Sequence, residues 1–202
     1  MKINDLIKRF DRLSFIFITV FCVLSLCACG GPTSENKLVR KAKSQYGKAS
    51  VISSSYSDRE SSVTLRDDAQ GFVYTIYDNY YAATLDGEEF GFRSSHITDD
   101  FDDRLAEYVF TQAAGDIDAA CIRYNAHWMP QKDGFRYAGI TLIVYVNDPN
   151  TAENLALECA EALEKQNVKK RLNGASVKLI DANDDTLIGK VNLNENKYIS
   201  YK

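Results

Sequence analysis

The sequence predicts an α+β fold: a mainly antiparallel sheet with about three helices packed on one face. Three observations lead there. Stretches with apolar residues three and four apart alternate with β-branched and aromatic runs. Most of those runs are grouped and joined by short polar turns. One run, Tyr137–Val146 (YAGITLIVYV), is apolar enough to lie inside a sheet.

The first helix spans residues 35–46. Leu38, Val39, Ala42 and Tyr46 share a stripe, and Gly47 stops it. Strands follow at Ala49–Tyr56 and Ser62–Arg66, joined by Ser57-Asp58-Arg59-Glu60. Asp67-Asp68-Ala69-Gln70-Gly71 is a turn. Phe72–Tyr77 alternates and is covered on both faces, and Tyr80–Leu85 continues the sheet. Asp86-Gly87 signals a hairpin into Glu89–Phe92.

A long helix comes next, capped by Thr98 or Asp99. Asp99, Asp100, Asp102 and Asp103 crowd its first turn, where the helix dipole favours negative charge. Phe101, Leu105, Tyr108 and Val109 form its inner face. Gly115-Asp116 interrupts it, and Ile117, Cys121, Tyr124 and Trp128 resume the stripe until Met129-Pro130. After the central strand, Asn150 and Glu153 have capping-box spacing. Ala152, Leu155, Cys159, Ala162, Leu163 and Gln166 line the third helix, with Lys169-Lys170-Arg171 near its C-terminal dipole and Asn173-Gly174 closing it. Ser176–Ile180 and Leu187–Leu193 make a terminal hairpin around Asp181–Thr186.

The N-terminus has the zones of an export signal. Lys2, Lys8, Arg9 and Arg12 form a positive region, offset by Asp5 and Asp11. An uncharged run, Phe15–Ala28, follows. It is shorter than the ~20 residues a spanning helix needs and has the size of a signal-peptide core. It ends in Leu26-Cys27-Ala28-Cys29-Gly30, which resembles the bacterial lipobox; the departure is Cys27, where Ala, Ser or Thr is usual. The resemblance implies a thioether-linked diacylglyceryl group on Cys29 and cleavage after Ala28. The organisation is then a signal peptide over 1–28, a lipidated Cys29 with a short flexible tether over 29–36, and one globular domain over 37–202. Two acyl chains hold a protein stably at a membrane where one binds marginally. The tether reaches at most ~25 Å at ~3.5 Å per residue, so the domain is expected to work close to the bilayer.

Removing the leader takes four of 24 Lys+Arg and two of 28 Asp+Glu, leaving 20 basic and 26 acidic residues and a mature formal charge of −6. That balance excludes nucleic acid as a partner, which calls for a basic patch. About 165 residues suffice for one buried core. Of the five cysteines, Cys121 and Cys159 remain beyond the leader and Cys29. Outside the cytoplasm they could pair. Their places on apolar helix stripes favour two buried thiols, because a sequence cannot bring two Cα atoms within disulfide reach.

Candidate chemistry is sparse. Asp181-Ala182-Asn183-Asp184-Asp185 begins like a calcium loop, but an EF-hand needs Gly at its sixth position and Glu at its twelfth. Thr186 and Asn192 stand there, so a hairpin turn is the better reading. Tyr74, Tyr77, Tyr80 and Tyr81 are candidates for a ligand surface that stacks sugar or peptide, against the ordinary preference of aromatics for strands. His96 and His127 are the only histidines and lack metal-binding spacing; no metal or other cofactor is expected. No nucleophile elbow and no phosphate-cradling glycine loop occurs, so no catalytic residue is assigned.

Gly71-Phe72-Val73-Tyr74, Leu85-Asp86-Gly87 with Phe90, and Thr98-Asp99-Asp100-Phe101 lie in a segment, Leu65–Tyr108, that resembles small lipoproteins of low-GC Gram-positive bacteria. These motifs are structural, and the resemblance implies no activity. The expected function is non-enzymatic: a domain tethered through Cys29 to the extracytoplasmic face of the cell membrane, binding a protein or peptide, with an immunity-type role as one variant. The alternatives are a small-ligand or carbohydrate receptor and an unrecognised hydrolase.

Overall fold

The computed structural model describes residues 32–201 except 86, 87, 167–174, 194 and 196; for residues 80–95 it describes the backbone alone. The expected leader over 1–28, Cys29, the Asp86-Gly87 turn and the closing segment of the third helix lie outside the described residues. The element order is α1 (Glu35–Tyr46), β1 (Ala49–Tyr56), β2 (Glu60–Asp67), β3 (Val73–Leu85), β4 (Glu88–Asp99), α2 (Phe101–Arg123), β5 (Ala126–Asp133), β6 (Arg136–Val146), a 3-10 turn (Pro149–Thr151), α3 (Ala152–Glu164), β7 (Ser176–Asp181), β8 (Leu187–Asn192) and β9 (Lys197–Ser200). The class is α+β, as predicted, with strands mostly antiparallel. They form two sheets, not one: β1-β2-β3-β4, and β5-β6-β7-β8-β9.

The first sheet is an antiparallel meander. Its β2–β3 turn follows the sequence reading. The Asp67 carboxylate accepts from the N–H groups of Ala69 and Gln70, and Gly71 takes φ 80°, a conformation open to glycine. β3 and β4 are one long hairpin. Glu60 pairs with Asn79, so β3 runs past the end of β2 and there pairs with β4 alone. In the second sheet every contact is antiparallel except β6 with β7, which α3 joins by a crossover.

Several boundaries correct the sequence reading. α2 continues through Gly115-Asp116 and stops at Arg123. Asn125 adopts φ 52°, a left-handed stop, and its N–H bonds the Ile122 carbonyl. His127-Trp128 therefore lies in β5, not at a helix end. Pro130 is tolerated because β5 is an edge strand. α2 begins after Asp100, and the Phe101 N–H bonds the Asp99 carboxylate. The Asn150–Glu153 box does not form. Asp148 instead accepts from the Asn150 N–H and closes the 3-10 turn ahead of α3. Order also reaches further back than the expected tether. Ser34 precedes α1, and Glu35 and Asn36 are helical.

One core runs through the molecule. Leu38 and Ala42 of α1 pack on Val63, Leu65, Tyr74 and Ile76 of the first sheet. Leu105, Val109, Ala113 and Ile117 of α2 and Leu155, Cys159 and Leu163 of α3 face Leu142, Val144, Val177, Leu179 and Val191 of the second. The start of α2 is the joint. Phe101 stacks on Tyr46 at 3.8 Å between ring centres and meets Tyr74 edge-on at 4.9 Å. The acidic run serves here too. Asp99 accepts from the Tyr46 hydroxyl (2.7 Å), Asp100 from the Thr75 N–H (2.6 Å) and Asp103 from the Tyr137 N–H (2.9 Å). Three carboxylates thus tie α1, β3 and β6 to one helix start.

Candidate functional site: the chain entry and the open face of the second sheet

The chain enters the domain through a buried clamp. The Thr33 N–H donates to Asp78 Oδ2 (2.8 Å), and the Ser61 hydroxyl donates to the Thr33 carbonyl (2.6 Å). All three residues are at most 3% exposed. A carboxylate buried this deeply holds only if it is hydrogen-bonded, so the clamp is a specific attachment. Of the tether expected over 29–36, residues 33–36 belong to the folded domain. The span from Cys29 to Thr33 reaches ~14 Å at most, against ~25 Å for the whole segment.

Among the described residues, the second sheet buries one face and leaves the other open. Alternation sends Leu142, Val144 and Val146 inward, fully buried, and Thr141, Ile143 and Tyr145 to the other side. Strand register assembles the outer face. His127 pairs with Tyr145, Tyr145 with Ile180 and Ile180 with Leu187. The next row runs Met129, Ile143, Lys178, Lys190 and Ile199. Cross-strand partners share a face, so these two rows form a single surface. Met129 is 45% exposed and Leu187 42%, and the rest are half-buried or exposed. The His127 and Tyr145 rings stack flat, 4.7 Å apart and 3° from parallel. Lys178 Nζ donates to Gln131 Oε1 at 2.8 Å. The solvent face of an antiparallel sheet is ordinarily polar. This one carries a first row without a formal charge when His127 is neutral, and two lysines in the second.

The predicted tyrosine surface does not assemble. Tyr74 is 1% exposed and sits in the aromatic core, so it is corrected from ligand surface to packing residue. Strands bury alternate residues, and Tyr74 faces α1 and α2. Tyr77, on the opposite face of β3, is half-buried. The side chains of Tyr80 and Tyr81 lie outside the described residues.

The other candidates are placed as follows. The Asp181–Thr186 segment is a hairpin turn: Asp181 accepts from Asn183, and Asp184 from the Thr186 N–H and hydroxyl. Among the described residues no three His, Cys, Asp or Glu side chains converge as metal ligands. His96 pairs across β3–β4 with Asn79, in the other sheet from His127. Cys121, on α2, and His127, on β5, are on different elements. Both cysteines are free, buried thiols, Cys121 on α2 and Cys159 on α3. Above that helix pair lies a groove of about 340 Å³, floored by Ala119, Ala120 and Ala162. Two ion pairs line it, Arg123 with Glu158 at 2.8 Å and Lys165 with Asp116 at 3.2 Å, together with Glu161. Among the described residues no helix is long and apolar enough to cross a bilayer.

The open face and the clamp escaped the sequence reading. The apolar outer positions were visible in YAGITLIVYV, where both alternate sets are apolar, but a strand covered on both faces reads identically. Nothing in the sequence pairs Thr33 with a residue 45 positions away. No family model matches the chain, and no curated protein or solved structure is significantly similar to it.

Proposed function

We propose that this chain is a lipoprotein anchored through Cys29 to the extracytoplasmic face of the cell membrane, and that the open face of its second sheet binds a protein partner there. The partner reading is carried by the row His127–Tyr145–Ile180–Leu187, an apolar and aromatic strip on a sheet face that no described element covers. Such a flat strip fits another protein's surface better than a small solute, which is held in a concave pocket. Lys178 and Lys190 beside it favour a partner that offers carboxylates. The membrane reading rests on the basic, apolar and Leu26-Cys27-Ala28-Cys29 order of the leader. The buried clamp at Thr33 supports a domain held close to the lipid, since little chain remains between it and Cys29.

The test has two arms. Mass spectrometry of the native N-terminal peptide is expected to show diacylglyceryl on Cys29, and Cys29→Ala to move the protein out of the membrane fraction. An unmodified terminus or a retained leader overturns the anchor. For the partner, Tyr145→Lys with Leu187→Lys is expected to abolish specific capture from solubilised membranes while leaving the melting temperature within a few degrees of wild type. Equal capture by both proteins, or no specific capture by either, overturns the role of the face.

A further inference from the structure

We infer that Cys121 and Cys159 form an intramolecular disulfide that clips α2 to α3. The register of the two helices places them together. Asp116 bonds Lys165, and seven residues further along α2 Arg123 bonds Glu158, seven residues back along α3. The helices are therefore antiparallel and aligned. Tyr124, whose hydroxyl donates to Glu158 at 2.9 Å, confirms the alignment one residue on. In that alignment Cys121, two residues before Arg123, lies opposite Cys159, one residue after Glu158. Both lie in the core, 3% and 0% exposed, and each thiol is near enough to perturb the other's ionisation. A thiol pair fixed by two flanking ion pairs needs little backbone movement to reach bonding geometry.

The chemistry is thiol–disulfide exchange with a disulfide oxidant, such as glutathione disulfide or a protein disulfide donor. The thiolate of one of the two cysteines attacks the oxidant's S–S bond, forming a mixed disulfide and releasing one thiol. The other cysteine then attacks the sulfur of the first and releases the second. The two cysteines lose two electrons and two protons, and the oxidant becomes two thiols. Both sulfurs are buried, so exchange takes place as the chain folds and before the helix pair closes.

Whether the clip forms in the cell rests on the extracytoplasmic reading, because reducing compartments keep such thiols apart. The full chain carrying Cys22→Ser, Cys27→Ser and Cys29→Ser leaves only this pair of thiols. Refolded from denaturant with glutathione disulfide, it is expected to lose two hydrogens in intact mass and yield a cross-linked peptide containing both residues. Its melting temperature should rise by about 10 °C over the reduced form. Adding Cys121→Ser or Cys159→Ser should leave a stable glutathione adduct on the remaining thiol. Two alkylatable thiols after oxidative refolding, or a persistent adduct on the pair, overturns the clip. Native protein isolated with both thiols reduced, alongside a clip formed in refolding, upholds the geometry and overturns the compartment.

Discussion

Of the four aspartates at the start of α2, three are spent on hydrogen bonds to other elements, and Asp102 alone has no partner among the described residues. Partial desolvation, with the neighbouring Asp99 and Asp103 charges, raises its carboxyl above the ordinary value of 3.8. The helix dipole favours a negative charge at this position and opposes that shift. An acid raised on folding binds its proton more tightly in the native state. Its neutral form therefore adds stability below pH 3.8, and that stability is lost as pH rises through the folded value. Asp102→Asn keeps the side chain neutral. It is expected to raise the melting temperature slightly at pH 7, with solvent screening keeping the gain within ~0.5 kcal/mol, and to match wild type near pH 3. Thermal melts across pH 3–8 check this; a loss of stability at neutral pH would mean that the dipole dominates.

At the scale of elements, the last strand illustrates what a sequence scan misses. β9 is four residues long and polar at its start, so it has no period to detect. It is held by pairing with β8 and by Tyr198, whose ring lies over Gly189. A Cβ at position 189 would overlap that ring. Gly189→Ala should push Tyr198 aside and cost about 1–3 kcal/mol. In a Tyr198→Ala background the same substitution should cost much less, and calorimetry of the four proteins measures the coupling. β5 was missed for a related reason. Trp128 continues the stripe of Ile117, Cys121 and Tyr124 at helical spacing, and the stop signals, Asn125 and then Asp133-Gly134, are weak singly. By contrast α1, β1, β2 and β6 were legible, because each carries a full period bounded by a turn residue or a polar connection.

Across the whole molecule, two sheets share one core through the first turn of α2. Phe101 touches Tyr46, Phe72 and Tyr74, and its helix continues over the second sheet. Two sheets joined by one continuous core should melt together. Trp128 fluorescence from the second sheet and the near-ultraviolet circular dichroism of the aromatic cluster are expected to give coincident transitions. Phe101→Ala should lower both together, by about 3–5 kcal/mol. Separate transitions would show that the sheets are independent units. The sequence by itself determined most of the helices and strands, the α+β class, the acidic balance and the leader's order of charge, apolar run and Leu26-Cys27-Ala28-Cys29. All of these are local in the chain, written in periods of two and 3.6 or in adjacent residues. The tertiary structure alone decided that the strands form two sheets, that Tyr74 is core, that Thr33 is clamped by Asp78, that Cys121 lies opposite Cys159, and that one face of the second sheet stays open among the described residues. Each of these depends on which distant segments pack together, and periodicity marks a strand's apolar side without naming the element that covers it.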